Sequence, residues 1–160
     1  MTDRVPLSNA GVRFPPPFLF VIGFVAGWAL DQYWRALPLS RFAGSALAPF
    51  AWTALAVGVL LVGWGMVTFR RAKTAIHPHH SASQLVMHGP YRFTRNPMYT
   101  GLTIAYLGGS ALIDSAWPII VLPVVLLVLI KTVILREEMY LRDAFGVDYT
   151  GYVASVRRWL

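Results

Sequence analysis

Two short polar stretches of this chain carry residue types that bind small charged molecules. The first is HGPYRFTRNPMYTG, from His88 to Gly101, and it begins just before a long apolar run. The second is REEMYLR, from Arg136 to Arg142, and it directly follows another. Arginine binds carboxylates in a planar, bidentate way, and ionised glutamates accept hydrogen bonds from ammonium and hydroxyl groups. Together the two stretches predict a site for a polar, zwitterionic ligand.

The backbone of the first stretch is stiffened by two prolines. Pro90 and Pro97 each fix their own φ and hold the preceding residue in extended geometry. His88 opens the stretch beside Gly89, whose missing side chain lets another group approach the backbone closely. A stiff loop of hydrogen-bond donors that faces carboxylates suits such a ligand.

Each of these residues also has an ordinary structural interpretation. Arginines and tyrosines are common anchors at a membrane surface, and Glu138 and Arg142 are spaced to pair along one helix. Glu137 and Glu138 are adjacent, however, so they point to different faces of a helix and at least one should turn inward. Carboxylates that turn inward near a membrane are costly and are usually functional. The combination therefore favours a binding site.

The elements that position these residues are apolar helices. Of the 160 residues, 56% are hydrophobic and 13% are charged, whereas a soluble domain is about half apolar and about a quarter charged. Four predominantly apolar segments are present: Pro17–Leu30, Ala46–Phe69, Pro97–Ile113 and Ala116–Leu135. Tyr33 and Trp34 follow the first as an interfacial anchor pair. We therefore predict an all-α integral membrane protein with four transmembrane helices.

The turn between the last two segments decides the geometry of the predicted site. Only Asp114 and Ser115 separate these segments, so they should form an antiparallel hairpin. The beginning of the third segment and the end of the fourth are then neighbours in space. The residues that should meet there are Arg92, Arg95, Tyr99, Glu137 and Glu138.

The positive charges are distributed unevenly about the four predicted crossings. The net charge is +7, and twelve of the fourteen lysines and arginines fall on the side that also holds both termini. Only Arg35 and Arg41 fall on the other side. This bias predicts an inner or plasma membrane protein with cytoplasmic N- and C-termini. The same charge favours contact with anionic lipids, and because no nucleic-acid motif is present we expect no nucleic-acid partner.

Several other classes of site are disfavoured by the sequence. The chain has no cysteine, which excludes disulfides and thiolate catalysis. His77, His79 and His80 surround Pro78, which breaks helical spacing, and no carboxylate or cysteine lies nearby to complete a ligand set. We therefore predict no metal site.

A single membrane domain, residues 1–160, accounts for the whole pattern. Residues 1–84 hold the first two segments and a connector, and residues 85–160 hold the polar motifs and the predicted C-terminal hairpin. Gly23 and Gly27 in the first segment are spaced to let another helix of the bundle approach closely.

The motif region resembles the isoprenylcysteine carboxyl methyltransferase family and its bacterial relatives. The resemblance rests on LVMHGPYRFTRNPMYTG, then an apolar hairpin, then REEMYLRDAFGVDYTGYVASVRRWL, and it covers residues 85–160. Its motifs are Gly-Pro-Tyr, the Arg-x-Pro-x-Tyr-x-Gly run, the glutamate pair and a tail with tyrosines and arginines. This broad group is also similar to the phospholipid N-methyltransferases.

The resemblance implies an integral-membrane methyltransferase that uses S-adenosylmethionine in a helical rather than a Rossmann site. It places on one side of the cofactor pocket His88, Gly89, Tyr91, Arg95, Asn96, Pro97 and Tyr99. It places on the other side Glu137 and Glu138. It also matches a family C-terminal segment that would cap the pocket or contact substrate, with Tyr149, Tyr152, Arg157 and Trp159.

One position departs from the family pattern. Eukaryotic relatives typically have histidine after the motif arginine, where this chain has Asn96. Asparagine still forms hydrogen bonds but does not titrate near neutral pH. We therefore expect no proton transfer at this position.

The resemblance and the chemistry of the residues together suggest roles. We expect Arg95 to bind a carboxylate, either of the cofactor or of the methyl acceptor, and Glu137 or Glu138 to bind the cofactor's ammonium or ribose. Tyr91 and Tyr99 would face the sulfonium or the adenine. Arg95 and Glu138 are the catalytic candidates, with Glu138 acting as a base if the acceptor is an amine.

The predicted function is methylation of an amphiphilic small-molecule or lipid acceptor, by carboxyl O-methylation of a prenylcysteine-like or related substrate. A phospholipid N-methyltransferase and a small-thiol S-methyltransferase are alternatives within the same class. A non-catalytic scaffold that binds anionic lipid is the alternative of another class, although a scaffold does not need the inward acid and arginine. A small transporter has in its favour only Pro123 and Lys131, which kinked packing and snorkelling also explain.

Overall fold

The computed structural model describes residues 15–34, 38–72 and 85–159. Throughout these ranges the regular structure is helical, without strands, so the predicted all-helical class is confirmed. The helices are α1 (Pro17–Tyr33), the short α2 (Ser40–Ala43), α3 (Leu47–Arg71), α4 (Pro97–Leu112), α5 (Trp117–Leu129) and α6 (Leu135–Ser155). A π-helical turn, Ile130–Ile134, joins α5 to α6, and a 3-10 turn, Gly89–Arg92, precedes α4. The histidine run at residues 77–80 lies outside the described residues.

Long apolar helices with exposed surfaces indicate that this is a membrane protein. The continuous helical stretches Ser40–Arg71 and Trp117–Ser155 each contain an apolar part long enough to cross a bilayer, and in the second stretch this part ends at Leu135. Of the most apolar 18-residue portion of each stretch, only 17% and 33% is buried inside the protein. A helix in the core of a soluble protein is mostly buried, whereas these present apolar side chains outward, as lipid contact requires. The arrangement of four crossings stays a prediction.

Glycines bring α3 and α4 into backbone contact. A Cβ atom added to Gly58 would lie 2.5 Å from the carbonyl oxygen of Gly101 and 2.5 Å from the amide nitrogen of Ala105. A Cβ added to Gly108 would lie 2.6 Å from the amide nitrogen of Leu55. No side chain fits at these points, so the close approach of the two helices depends on glycine.

A second pair of helices, α1 and α5, packs in the same way. A Cβ added to Gly27 would lie 2.5 Å from the Cα atom of Pro118, and one added to Gly23 would collide with the side chain of Val125. The predicted packing role of Gly23 and Gly27 within the bundle is therefore confirmed.

We expect Gly58→Ala to destabilise the bundle, because the added methyl group must push α3 away from α4. Overpacking of this kind costs about 1–3 kcal/mol. Gly63→Ala is the matched control, since Gly63 lies on the same helix and a Cβ there would meet no atom within 4 Å. Thermal unfolding in detergent should show a lower Tm for Gly58→Ala alone. Equal Tm values for both variants would contradict the backbone contact.

The turn between α4 and α5 is fixed by hydrogen bonds at the end of the bundle opposite the polar motifs. Asp114 adopts a positive φ of 51°. Its carboxylate accepts hydrogen bonds from the amide and the hydroxyl of Ser40, at 2.6 and 2.7 Å. The hydroxyl of Ser115 donates to the carboxylate of Asp31 at 2.8 Å. The chain reverses here as predicted, and the other ends of the hairpin meet at the polar motifs.

Candidate functional site

The loop before α4 is pressed against the end of α3. Gly89 has a φ of 63°, and a Cβ there would lie 2.8 Å from the hydroxyl oxygen of Thr68. The following 3-10 turn buries Tyr91, whose ring packs edge-on against Phe69 with centroids 5.1 Å apart. Pro97 then starts α4, since its fixed φ suits the first helical position. These constraints direct Arg95 and Tyr99 toward α6.

Glu138 is shared between two arginines. Its Oε1 atom accepts hydrogen bonds from Nη1 of Arg95 at 3.1 Å and from Nε of Arg158 at 2.8 Å. Its Oε2 atom accepts from Nη2 of Arg158 at 2.8 Å. The side chains of Arg95 and Glu138 are only 12% and 11% exposed. A largely buried carboxylate thus bridges α6 to the loop before α4 and to residues near the end of the chain.

Glu137 faces a different partner from its neighbour, as expected for adjacent helical residues. Its Oε1 atom accepts a hydrogen bond from the hydroxyl of Tyr99 at 3.0 Å. Burial raises the pKa of the Glu137 carboxyl to about 7; the hydrogen bond from Tyr99 opposes this rise, and the charge of Glu138 adds to it. Glu137 lies beyond the apolar segment that ends at Leu135, and its charge changes near neutral pH.

The residues after α6 cross the loop before α4. The amide of Arg95 donates to the carbonyl oxygen of Arg157 at 2.9 Å. The carbonyl oxygen of Arg158 accepts from the hydroxyl of Thr94 at 3.0 Å and from the side-chain amide of Asn96 at 3.1 Å. The side chain of Asn96 therefore supports the site as a hydrogen-bond donor whose protonation does not change near neutral pH.

Two tyrosines near the end of α6 also pack over the loop before α4. The helix is interrupted at Gly146, which has a φ of 51°. Beyond it, Tyr149 is fully buried, and the hydroxyl of Tyr152 donates to the carbonyl oxygen of Tyr91 at 2.6 Å. Trp159 packs against the buried apolar cluster formed by α1, α4, α5 and the start of α6. The segment predicted to cap a pocket is thus docked on the polar loop.

The structure brings together most, but not all, of the residues singled out in the sequence. Those that gather are Tyr91, Arg95, Asn96, Tyr99, Glu137, Glu138, Tyr149 and Tyr152. The side chains of His88 and Arg157 are exposed. Arg92 is exposed as well, with its guanidinium carbon 5.7 Å from the centroid of the Phe93 ring rather than at the glutamates.

Sequence reasoning missed Arg158. The sequence offered two adjacent arginines after the tyrosines and no rule for choosing between them. It also allowed Glu138 to pair with Arg142, whereas the ion pairs that the structure shows for Glu138 are with Arg95 and Arg158. The signal that could have found Arg158 is the need of a buried carboxylate for a second cation.

Two buried polar atoms at the site have no hydrogen-bond partner among the described residues. They are the hydroxyl of Tyr91 and Nε of Arg95. Leaving such a group unsatisfied costs about 1–3 kcal/mol, and more when it is charged. A bound polar molecule would offset this cost, so both atoms support a ligand site.

The fold and the polar cluster define a class: a helical membrane protein whose charged and polar side chains gather where the two ends of an apolar hairpin meet. A sequence model described as phospholipid methyltransferase matches residues 47–148, well over half of the chain. The chain belongs to the phospholipid methyltransferase family, and such a family requires a methyl donor.

Curated relatives carry more specific names. A probable protein-S-isoprenylcysteine O-methyltransferase of Oryza sativa subsp. indica is 30% identical over 106 residues, which cover 65% of this chain and 56% of the relative. The protein-S-isoprenylcysteine O-methyltransferase A of Arabidopsis thaliana is 35% identical over 78 residues, which cover 49% and 38%. The chain thus spans about half or less of the length of these relatives. No solved structure matches. The resemblance read from the motifs is confirmed.

Proposed function

We propose that the chain is an integral-membrane methyltransferase that binds S-adenosylmethionine and methylates a carboxylate on an amphiphilic acceptor, such as a prenylcysteine-like molecule. The observation that carries the proposal is the meeting of Arg95 and Glu138 with Glu137 and Tyr99 at the end of the apolar hairpin. Acidic and basic groups of this kind, largely buried beside a lipid-facing surface, are expensive to place there without a ligand.

The residues present fit the charged groups of S-adenosylmethionine. Its amino acid part has a carboxylate, which suits the unpartnered Nε of Arg95, and an ammonium, which suits the carboxylate of Glu137. The hydroxyl of Tyr91 offers a further hydrogen bond at the same place. When bound, the cofactor supplies an electrophilic methyl group on a sulfonium.

Positioning accounts for the catalysis that these residues can provide. Tyr99 orients Glu137, and Glu138 orients Arg95, so both groups are fixed before a ligand arrives. Methyl transfer to a carboxylate needs no proton to move, and effective concentration in the correct geometry supplies a large part of the rate. Gly89, Asn96 and Pro97 would shape the pocket wall, and the exposed His88 would lie at its rim.

The acceptor is a carboxylate rather than an amine in this proposal. An amine must lose a proton before attack, yet both oxygens of Glu138 already accept charge-assisted hydrogen bonds from guanidinium groups. The plant relatives are named as O-methyltransferases, which agrees with a carboxylate. A carboxylate held away from water is nucleophilic without a base.

Phospholipid N-methylation is the second candidate. The family description favours it, and Glu137, whose pKa is about 7, is suited to take a proton from an amine at neutral pH.

An amphiphilic acceptor would approach from the bilayer while the cofactor arrives from the cytoplasm. We propose that the apolar segments cross an inner or plasma membrane four times with both termini in the cytoplasm. The uneven distribution of positive charge supports this orientation. An alkaline phosphatase fusion to the loop between α1 and α3 should be active on the far side of the membrane, and activity at the loop before α4 would contradict the orientation.

Transfer of a labelled methyl group tests the function. The protein in lipid nanodiscs would receive methyl-labelled S-adenosylmethionine, a total lipid extract and a prenylcysteine analogue. We expect a base-labile methyl ester on the analogue and none with Arg95→Ala. Label in phospholipid amines instead would establish the second candidate, and no transfer at all would overturn the proposal.

Cofactor affinity should rise with pH through about 7, because the ionised Glu137 binds the ammonium. If only the ionised form binds, affinity increases about tenfold between about pH 6 and about pH 8. Calorimetry should show this slope in the natural chain and a flat profile in Glu137→Gln. A cofactor affinity that is independent of pH would remove Glu137 from the ammonium site.

The unliganded protein should lose stability as pH rises from 4.5 to about 7, because folding raises the pKa of the Glu137 carboxyl over that interval and the folded state therefore binds the proton more tightly.

A further inference from the structure

Arg158 lies beyond residues 47–148, the part of the chain that the family comparison covers, yet its side chain reaches the centre of the site. We propose that Arg158 is a positioning residue that shares Glu138 with Arg95 and thereby leaves Arg95 able to bind an anionic group of the ligand. This inference rests on the proposed function, in which Arg95 binds a carboxylate.

The hydrogen bonds at Glu138 are divided unequally. Arg158 takes both oxygens in a bidentate arrangement, with two contacts of 2.8 Å. Arg95 has a single, longer contact of 3.1 Å through Nη1. A bidentate contact is stronger than a single one, so Arg158 is the main partner of Glu138, with two of the three hydrogen bonds shown between this carboxylate and arginine. Glu138 holds Arg95 in place through Nη1 alone. The Nε atom of Arg95 has no hydrogen-bond partner among the described residues and so remains available to a ligand.

The charge of the cluster points the same way. Two guanidinium groups share one carboxylate, so the three side chains carry a single net positive charge. Without Arg158, Arg95 and Glu138 would neutralise each other, and Arg95 would be drawn into a bidentate pair. An anion gains from the uncompensated charge, and more so in a largely buried site.

Backbone contacts hold Arg158 in place. Its carbonyl oxygen accepts hydrogen bonds from Thr94 and Asn96, on either side of Arg95 in sequence. Trp159 is packed against the apolar cluster. Arg158 and Arg95 are therefore fixed relative to each other by main-chain contacts as well as through Glu138.

The first test compares variants by the affinity for S-adenosylmethionine in calorimetry. Arg158→Gln should weaken binding by at least about tenfold, the effect of one charge on a charge-assisted contact. Arg158→Lys should fall in between, because it keeps the charge but not the bidentate geometry. Arg142→Gln is the matched control: it removes the same charge from an exposed position on α6 and should change affinity by less than about twofold.

A second variant separates positioning from plain stabilisation. Glu138→Gln combined with Arg158→Gln restores the single positive charge, and the glutamine still offers an oxygen to Nη1 of Arg95. This double variant should therefore bind the cofactor more tightly than Arg158→Gln alone, although it has lost more native contacts. A purely structural role would make it bind no better.

The outcomes distinguish this inference from the proposed function. If the natural chain does not bind S-adenosylmethionine, both fail. If it binds and Arg158→Gln binds equally well below its Tm, only the role of Arg158 is overturned. A failure of the double variant to recover affinity, with its fold intact by thermal unfolding, would also overturn it.

Discussion

Arg95→Ala should weaken the binding of S-adenosylmethionine by about a hundredfold while the chain remains folded in detergent. The variant loses the cation that we assign to the cofactor's carboxylate, and a charge-assisted, bidentate contact in a buried site contributes about 3 kcal/mol, or about a hundredfold in affinity. Folding should survive, because Arg158 still pairs with both oxygens of Glu138. Calorimetry for affinity and thermal unfolding for stability would measure the two effects separately.

Arg92→Ala is the control for this experiment. Arg92 lies three residues before Arg95 in the same loop, but it is exposed and contacts the Phe93 ring. Its removal should leave the affinity within about twofold of the natural chain, as expected for a solvated charge. An Arg95→Ala variant that keeps its affinity would remove the site from this place in the fold.

Glu138→Ala should cause the largest loss of stability of any single substitution in the polar cluster. The alanine leaves the guanidinium groups of Arg95 and Arg158 close together without their shared counter-charge. Removing one partner of a buried ion pair costs roughly 3–5 kcal/mol, and the partial exposure of Arg158 places this case near the lower end. Cofactor binding should fall as well, because the guanidinium of Arg95 then lacks the carboxylate that positions it.

The matched substitution for this second experiment is Asp148→Ala. Asp148 is an exposed acid on the same helix, and its loss should change Tm little. Denaturation in detergent, followed by circular dichroism, compares the two variants. Equal Tm values would mean that the ion cluster contributes nothing to the folded state.

The sequence was sufficient to predict the meeting of the two polar stretches. The break at Asp114 is too short for anything but a reversal, and the apolar segments on either side have comparable lengths. The ends of the hairpin therefore had to coincide, whichever way its helices packed. Arg95 with Glu138 and Tyr99 with Glu137 follow from that constraint.

Other contacts depend on the path of the backbone, which residue types alone do not determine. Arg92 and Arg95 are equally basic, but the 3-10 turn ahead of α4 directs the first outward and the second inward. Arg157 and Arg158 are likewise adjacent, and the course of the chain beyond Gly146 decides which of them reaches Glu138. The contact between α3 and α4 was not predicted either, because nothing in the sequence identified the helix opposite Gly58.

The glycine contacts would restrict the routes open to the amphiphilic acceptor that we propose. With backbone against backbone at Gly58 and Gly108, α3 and α4 form a seam with no width for an acyl or prenyl tail, and Gly27 closes α1 onto α5 in the same manner. Such a tail has to pass where one helix pair faces the other, or along the outer face toward lipid, because there side chains form the surface and can rotate aside. The positions that lack a side chain thus narrow the routes by which an acceptor reaches the polar end of the bundle.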